Sequence, residues 1–407
     1  MRKYYEILKR FPVLIFALIT LVFFMPNNLA KPLETARNAV VTSIGIDLKD
    51  NEYEVTYLAF IPTPAKDFIE TYNISSVKAE TLSQAMTQAG LHFGKDVTLF
   101  HTEVAVLGNG IIESNLSKTL DYLSREESLS SSCILVATNK SAKEMLKFMQ
   151  QEDINPSEKL REIMLYNFQK VSCQTSSVES FYEGFYSPEK CSFMPLVTLN
   201  DKKEDTGIML NNTSSNSGSE QGKEKAQKEI QSDGSVVVFK NGKKVDVFDS
   251  KILSGMNWIN PNKAEQDIVI ERYNDEMLKN AKVVYHTNKK QITKSTNFEN
   301  NIPIFSVSIK VFVDRVEVYG DRDVLNESIQ LNQINNETKR LIETKIKKEF
   351  ADSLSYLRKN KTDLIGVYYQ FYQKNRGNFK NFLKSLEDRE DFLNFVVFKL
   401  NITVEAD

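Results

Sequence analysis

Histidine and carboxylate side chains are the residues of this chain that could act as acids, bases or metal ligands. The chain has three histidines, His92, His101 and His286, and Glu103 follows His101 by two positions. Residues two apart on a β-strand share one face, so His101 and Glu103 could form a metal site or an acid–base pair. The alternative is a histidine at a strand edge whose hydrogen bond holds the preceding loop, and the sequence leaves both interpretations open.

The remaining polar motifs do not favour catalysis. The sequence has no Gly-x-Ser-x-Gly elbow, no Walker A loop, no dinucleotide fingerprint and no His-Glu-x-x-His motif. His92 lies in a predicted turn, His286 stands alone on a strand-like run, and the acidic pair after Arg125 is typical of an exposed helix end. These motifs give no support for catalytic residues, metal ligands or a cofactor, and we predict none.

Two aromatic groups could instead form binding surfaces. The only tryptophan, Trp258, could stack against a ligand, although a tryptophan at such a position more often belongs to a core. Tyr368, Phe371 and Tyr372 share one helical face, and basic residues follow them. This face could meet lipid headgroups or a partner subunit, or it could pack under a sheet with its lysines in solvent.

The composition is that of a folded protein. A chain of 407 residues allows two or three domains, and 41% hydrophobic residues are enough to form their cores. The net charge of −2 gives no support for a nucleic-acid partner. The cysteines, Cys133, Cys173 and Cys191, lack metal-ligand spacing; Cys133 is predicted to be buried, and the other two could form a disulfide if the protein is exported.

One uninterrupted apolar run, Phe11 to Met25, follows a basic N-terminus. Its length suits a signal-peptide core or a short membrane anchor, and the basic flank then places the rest of the chain outside the cytoplasm. Asn28 stands where signal cleavage requires a small residue. We predict that residues 1–30 form an uncleaved or slowly cleaved anchor, whose membrane residues are Phe11, Leu14, Ile15, Phe16, Leu18, Ile19, Leu21, Val22, Phe23 and Phe24.

A polar, low-complexity stretch from Asp201 to Asp233 divides the rest of the chain. It is rich in Lys, Glu, Ser, Asn and Gly, and it would bury too little apolar surface to offset the entropy of ordering it. We predict a linker or loop over residues 201–233, an N-terminal α/β domain over residues 38–200 and a C-terminal α+β domain over residues 234–407.

Strand and helix patterns alternate in the N-terminal block. An alternating run over Val40–Leu48 predicts a strand that turns at once into a second strand beginning at Tyr53. Thr81 caps a helix predicted to end at Gly90. The face predicted to be shared along the first strand consists of Val40, Thr42, Ile44, Ile46 and Leu48.

The C-terminal block contains a hairpin signal and a long helix. Asn241-Gly242 between two apolar runs is the strongest hairpin signal of the chain. A helix is predicted from Glu337 to Leu357, with Ile342, Ile346, Phe350 and Leu354 along its apolar face. The predicted fold class is α+β, multi-domain, with mixed β-sheets flanked by helices.

The order of four short tracts resembles the Ger(x)C proteins, the C subunits of the nutrient receptors of bacterial spores. The tract 43–47 is similar to the family's opening GIGID strand, and the tract 81–107 contains a similar helix and a His-led strand. The tract 236–258 and Asp363-Leu364-Ile365-Gly366 are similar to the family's AVFK and DIFGFG regions. The matching positions, which the resemblance suggests are structural or interface residues, are Gly45, Asp47, His101, Arg125, Phe239, Gly255, Trp258, Asp363 and Gly366.

The resemblance implies a subunit that is not an enzyme, on the outer face of the spore inner membrane. There it would act with a membrane-spanning A-type subunit and a transporter-like B-type subunit in the response to nutrients. The chain departs from the family pattern because Met25-Pro26-Asn27-Asn28 stands where a lipid-bearing cysteine is usual. Two other function classes stay open: an exported, membrane-anchored solute-binding or adhesion protein, and an exported hydrolase that uses His101 and Glu103.

Overall fold

Two β-sheets, one of ten strands and one of four, organise the part of the protein that the structure describes. The structure, a computed structural model, describes residues 38–60, 72–151, 156–170, 176–201, 228–262, 265–272, 281–319, 334 and 336–406. The predicted anchor and Cys173 lie outside these residues. No helix in the described ranges is long and apolar enough to cross a membrane.

The first sheet has the strand order β10-β9-β7-β6-β5-β1-β2-β3, with β4 beside β1 and β8 beside β7. Strands β1, β5, β6 and β7 run parallel, and the remaining neighbours on this path are antiparallel. Its strands are β1 (Asn38–Lys49), β2 (Glu52–Phe60), β3 (Tyr72–Ala79), β4 (Asp96–Thr98), β5 (Val104–Leu107), β6 (Ile134–Thr138), β7 (Cys191–Asp201), β8 (Lys228–Gln231), β9 (Val236–Lys240) and β10 (Lys243–Phe248).

Helices cover both faces of this sheet because its central strands are apolar on both sides. Ala105 and Leu107 of β5 belong to one core cluster, whereas Val104 and Val106 belong to another. The first cluster is covered by α1 (Leu82–Phe93), a π-helical turn (Ile111–Asn115), α2 (Leu116–Arg125) and α5 (Val178–Tyr186), and the second by α3 (Ala142–Gln151) and α4 (Pro156–Lys170).

A β-bulge changes the predicted face of β1. The pairing of β1 with β2 shifts between Val41 and Ser43. Residues before the bulge are therefore out of phase with those after it. Ala39 and Val41 join Ile44 and Ile46 in one core cluster, so the prediction that Val40 and Thr42 share that face was wrong.

Helix α1 also differs from its prediction at one end. Thr81 caps it as expected, accepting a hydrogen bond of 3.2 Å from the amide of Gln84. The helix continues past Gly90 and ends at Gly94, which adopts a φ of 59°. His92 therefore lies in the last helical turn, and its ring is 3.3 Å from the hydroxyl of Ser75.

Chain on both sides of the polar stretch 201–233 contributes to the first sheet. Strand β9 pairs with β7, and β8 pairs with residues 198–201 of β7. The segment predicted as a linker therefore contains strand residues at both ends, and Ile230 packs against the second core cluster. The predicted hairpin is confirmed, with Asn241 and Gly242 at φ values of 50° and 74°, the left-handed conformation that a tight two-residue turn requires. The division into domains stays a prediction.

The second sheet has the order β11-β12-β13-β14, and its last pair is parallel. The predicted long helix is confirmed as α7, with Ile342, Ile346, Phe350 and Leu354 buried against the sheet. The elements of this region are α6 (Ser250–Asn257), β11 (Gln266–Arg272), β12 (Ala281–Glu299), β13 (Ile302–Tyr319), α7 (Asn336–Lys359), α8 (Val367–Lys374), α9 (Arg376–Ser385), α10 (Phe392–Phe395) and β14 (Val397–Ala406). The predicted arrangement of mixed sheets flanked by helices is thereby confirmed.

Helix α6 lies unusually close to α7 at Gly255. A Cβ at this position would overlap the backbone oxygen of Glu349 and the hydroxyl of Ser353. That hydroxyl also donates to the backbone oxygen of Ile252, so the contact includes a hydrogen bond between the helices. Leu253 and Met256 of α6 pack with residues of β9, β10 and α7, so this contact helps to join the first sheet to the second region.

Replacing Gly255 by alanine should therefore destabilise the protein, because the extra methyl would push α6 away from α7. Overpacking of this kind costs about 1–3 kcal/mol. Gly377→Ala is the matched control, since nothing lies within 4 Å of a Cβ there and alanine favours the helix. Thermal unfolding of the detergent-solubilised chain should give a lower midpoint for Gly255→Ala and an unchanged or higher midpoint for Gly377→Ala. Equal midpoints would contradict the close contact.

Candidate functional site

A cleft of about 880 Å³ opens at the amino-terminal ends of β5 and β6. The residues just before these parallel strands form its floor, and α4 and α5 contribute one wall. His101 and Glu103 both line it. Its other lining residues are Val40, Thr42, Phe60, Tyr72, Phe100, Thr102, Ser130, Ser132, Ile134, Arg161, Leu165, Ser177 and Ser180.

Glu103 is the acidic residue of the cleft, and its carboxylate is incompletely paired. Oε1 lies 3.9 Å from Nη1 of Arg161, a distance too long for a hydrogen bond. Oε2 is buried and accepts no hydrogen bond from the described residues. The side chains of Glu103 and Arg161 are 38% and 51% exposed, so both charges are open to a ligand. Sequence reasoning missed Arg161, because it lies almost sixty positions from Glu103 on a helix without a motif.

The loop before β5 is held by Thr102 rather than by His101. The buried hydroxyl of Thr102 donates to the backbone oxygen of Val41 at 3.1 Å. His101 is exposed, and no hydrogen bond from its ring to a described residue is found. No group of three or more metal-ligand side chains occurs among the described residues either. His101 and Glu103 therefore line the same cleft without a hydrogen bond between them.

Most hydroxyl groups of the cleft already have partners. Ser177 caps α5 by accepting from the amide of Ser180 at 3.1 Å, and the hydroxyls of Ser130 and Ser132 lie 2.7 Å apart. Thr42 donates to the backbone oxygen of Leu58 at 3.3 Å. These hydroxyl groups shape the cleft, whereas Glu103 and Arg161 are its charged groups without a close hydrogen bond to each other.

Asp47 lies at the opposite end of β1 from this cleft and caps a helix. Its buried carboxylate accepts three hydrogen bonds of 2.9 Å, from the hydroxyl of Ser141 and the amides of Ala142 and Lys143. Ala142 is the first residue of α3, so the negative carboxylate meets the unpaired amides and positive end of the helix dipole. Asp47 is thus a structural residue.

Glycines allow this close packing. A Cβ on Gly108 would overlap the carboxylate of Asp47, and one on Gly45 would lie 2.9 Å from Cδ1 of Leu146 in α3. Gly45 and Asp47, which belong to the GIGID-like tract, are therefore required for the close contact between β1, β5 and α3.

Two other family positions, Phe239 and Arg125, differ in burial. Phe239 of β9 is fully buried and meets the ring of Phe181 edge to face, with centroids 5.4 Å apart. Arg125 ends α2, is 78% exposed and pairs only with Asp121, at 2.9 Å, among the described residues. Phe239 therefore packs α5 against the sheet, and Arg125 is available to solvent.

Trp258 is fully buried, which favours the core interpretation over a ligand platform. Its indole nitrogen donates to a carboxylate oxygen of Glu349 at 2.8 Å. Glu349 belongs to α7, so this hydrogen bond adds to the contact that Gly255 makes with the same helix.

Asp363 repeats the capping function of Asp47 in the second half. Its carboxylate accepts from the amides of Val367 and Tyr368, at 3.0 and 2.7 Å, which begin α8. Gly366 precedes that helix with a φ of 73°. Burial raises the pKa of the Asp363 carboxyl to about 6, although the two backbone hydrogen bonds act to lower it.

The aromatic residues of α8 and α9 belong to the core of the second region. Phe371 and Phe379 are fully buried and stack with centroids 5.2 Å apart. Tyr368 packs edge to face against Phe379, at 4.9 Å. The arrangement favours a helix packed under the sheet, and Tyr369 is the exposed aromatic residue of α8.

Cys133 and Cys191 are both buried, and neither forms a disulfide with another described residue. Burial and then the charge of Glu103 raise the pKa of Cys133 to about 12, so it is not a reactive thiolate near neutral pH. Since Cys173 lies outside the described residues, its proposed disulfide with Cys191 stays a prediction.

Two sequence families match successive parts of the chain. The spore germination protein N-terminal domain matches residues 33–199, and the family described as spore germination B3/GerAC like, C-terminal, matches residues 233–407. The chain therefore belongs to the Ger(x)C family of spore germination proteins, the C-subunit class of germinant receptors.

A solved structure shares the fold. The crystal structure of the GerBC protein aligns with a TM-score of 0.50 at 14% sequence identity, over 89% of this chain and 96% of that chain. No curated protein matches the sequence. The family resemblance noted from four short tracts is thus confirmed by the two family matches.

Replacing Asp47 by asparagine should destabilise the N-terminal region. The new amide group cannot accept the hydrogen bonds that one carboxylate oxygen accepts, which leaves buried donors unpaired. The thermal unfolding midpoint should fall by about 5 °C or more. The control is Glu127→Gln, which makes the same charge change at an exposed position and should leave the midpoint unchanged. Equal effects of the two substitutions would show that Asp47 does not cap α3.

The raised pKa of Asp363 predicts a pH dependence of stability. The folded carboxyl holds its proton up to a pH of about 6, whereas the unfolded one loses it near 3.8. The unfolded state therefore binds fewer protons in this window, and the stabilising contribution of Asp363 falls as the pH rises from about 4 to about 6. The thermal unfolding midpoint should be measured for the wild type and for Asp363→Asn. The wild-type midpoint minus the variant midpoint should decrease as the pH rises through this range and should be constant above it.

Asp388→Asn is the control, because the pKa of Asp388 is shifted in the opposite direction to that of Asp363. A hydrogen bond from Lys361 lowers the pKa of the exposed Asp388 carboxyl, so its contribution is present above the unfolded pKa and is lost only at lower pH. A difference between wild type and Asp363→Asn that stays constant from pH 4 to pH 7 would contradict a protonated Asp363.

Proposed function

We propose that the protein is the C subunit of a membrane-bound germinant receptor that initiates spore germination. The order of the two family matches along one chain carries this proposal. In the proposed assembly, an A-type membrane-spanning subunit and a transporter-like B-type subunit are its partners. The apolar run 11–25 anchors it, and its folded part lies on the extracytoplasmic face of the spore inner membrane.

The proposed subunit is not an enzyme. Seven of the nine family positions have internal or local structural environments, among them the helix caps of Asp47 and Asp363, and an eighth, Arg125, is exposed and pairs with Asp121. The ninth, His101, lines the cleft without a hydrogen bond to Glu103 or another described residue. These observations support binding and assembly as the functions of the chain.

A solute-binding protein that works alone is the second candidate, and the cleft favours it. The two proposals differ in what accompanies the protein. A receptor subunit requires stable contacts with multi-span partners, whereas a solitary binding protein with one anchor requires none.

Co-purification from detergent-solubilised spore membranes tests the receptor proposal. The tagged full-length chain should recover a transporter-like subunit and a second multi-span subunit, identified by mass spectrometry. A similarly anchored spore protein of another family, carrying the same tag, is the control and should recover neither. Recovery of this protein alone, from spores in which it is abundant, would contradict the receptor role and favour the solitary binding protein.

A further inference from the structure

The cleft at the ends of β5 and β6 holds two opposite charges that the fold does not use. Glu103 and Arg161 approach to 3.9 Å, and both are partly exposed. A carboxylate can accept about four hydrogen bonds and a guanidinium can donate five, so this contact leaves most of their capacity free. Oε2 of Glu103 is buried, so a ligand in the cleft would meet the exposed part of the Glu103 side chain.

The fold fixes the position of Glu103. Its amide donates to the backbone oxygen of Thr42 at 3.0 Å, and its backbone oxygen accepts from the amide of Ile134 at 2.8 Å. Arg161 projects from α4, which Leu160 and Met164 hold against the sheet. The two charges are thus carried on separate elements that face one cleft, an arrangement that can hold a ligand between them.

An apolar wall lies beside the charges. The rings of Phe60 and Tyr72 pack at a centroid distance of 6.1 Å, and both line the cleft. Phe100 is 66% exposed although it is a large apolar residue, and Leu165 is 39% exposed. Exposed apolar side chains that surround a charged centre are typical of a small-molecule site.

We infer that this cleft binds a small zwitterion, in which an ammonium and a carboxylate are attached to one apolar frame. The ammonium would pair with Glu103, the carboxylate with Arg161, and the apolar part would cover Phe100 and Leu165. A ligand with only an ammonium would be repelled by Arg161, and one with only a carboxylate by Glu103. The inference rests on the proposed receptor function for its biological meaning and deepens it, because it gives this subunit a ligand of its own.

Binding should be measured by titration calorimetry on the detergent-solubilised full chain with matched probes. Leucine carries both charges, 3-methylbutylamine lacks its carboxylate, and 4-methylpentanoate lacks its ammonium. The set of phenylalanine, 2-phenylethylamine and 3-phenylpropanoate repeats the comparison on an aromatic frame. At least one zwitterion should bind, and each of its two halves should bind about tenfold more weakly or less.

Substitutions then assign the charges. Glu103→Gln and Arg161→Gln should each weaken binding of the zwitterion about tenfold or more. Phe100→Ala, at an exposed position that should not affect folding, should weaken it less. Glu127→Gln is the matched control, because it removes an exposed carboxylate outside the cleft and should leave the affinity unchanged.

Three results would overturn the inference. They are no binding of either zwitterion up to about 50 mM, equal binding of a zwitterion and its amine, and unchanged binding by a folded Glu103→Gln variant. Co-purification of partner subunits is a separate measurement. Failure to bind with the partners still recovered would reject this ligand site and leave the receptor function intact.

Discussion

The buried carboxylate of Asp47 imposes a constraint on which the N-terminal half depends. A charged group at such a depth is tolerated only when its oxygens are fully hydrogen bonded. Three donors at the start of α3 meet that requirement, which fixes the distance between this helix and the end of β1. Gly108 then has no room for a side chain, because the carboxylate occupies the space that a Cβ would fill.

The second half uses the same interaction at a different place. The carboxylate of Asp363 accepts hydrogen bonds from the first amides of α8. Gly366 adopts the left-handed conformation just before the helix begins. Gly255 and Trp258 act together on α7, one by allowing close approach and the other through its hydrogen bond to Glu349. In these tracts, aspartate side chains position helices by capping them, and glycines do so by allowing close approach.

Local patterns in the sequence predicted most of the regular elements, because periodicity and capping are local properties. The hairpin at Asn241-Gly242 and the face of α7 are examples. The bulge in β1 was not predictable, since it depends on how β2 pairs with it, and the pairing of β9 with β7 joins segments separated by a polar stretch. These features depend on contacts between distant parts of the chain, for which a single sequence has no local signal.

The cleft was predictable only in part for the same reason. His101 and Glu103 stood out because they are neighbours in the sequence, but Arg161 comes from the distant helix α4, and the loop is held by Thr102.

Strands β1 and β5 have different surroundings at their two ends. The helix cap formed by Asp47 lies at one end, and the cleft lies at the other. At the first of these ends, the carboxylate of Asp47 is fully engaged in capping α3. Glu103 and Arg161 retain hydrogen-bonding capacity at the amino-terminal end, where the proposed ligand site lies. A zwitterion held between them would add a contact between α4 and β5, and part of its binding free energy would then stabilise α4 on the sheet.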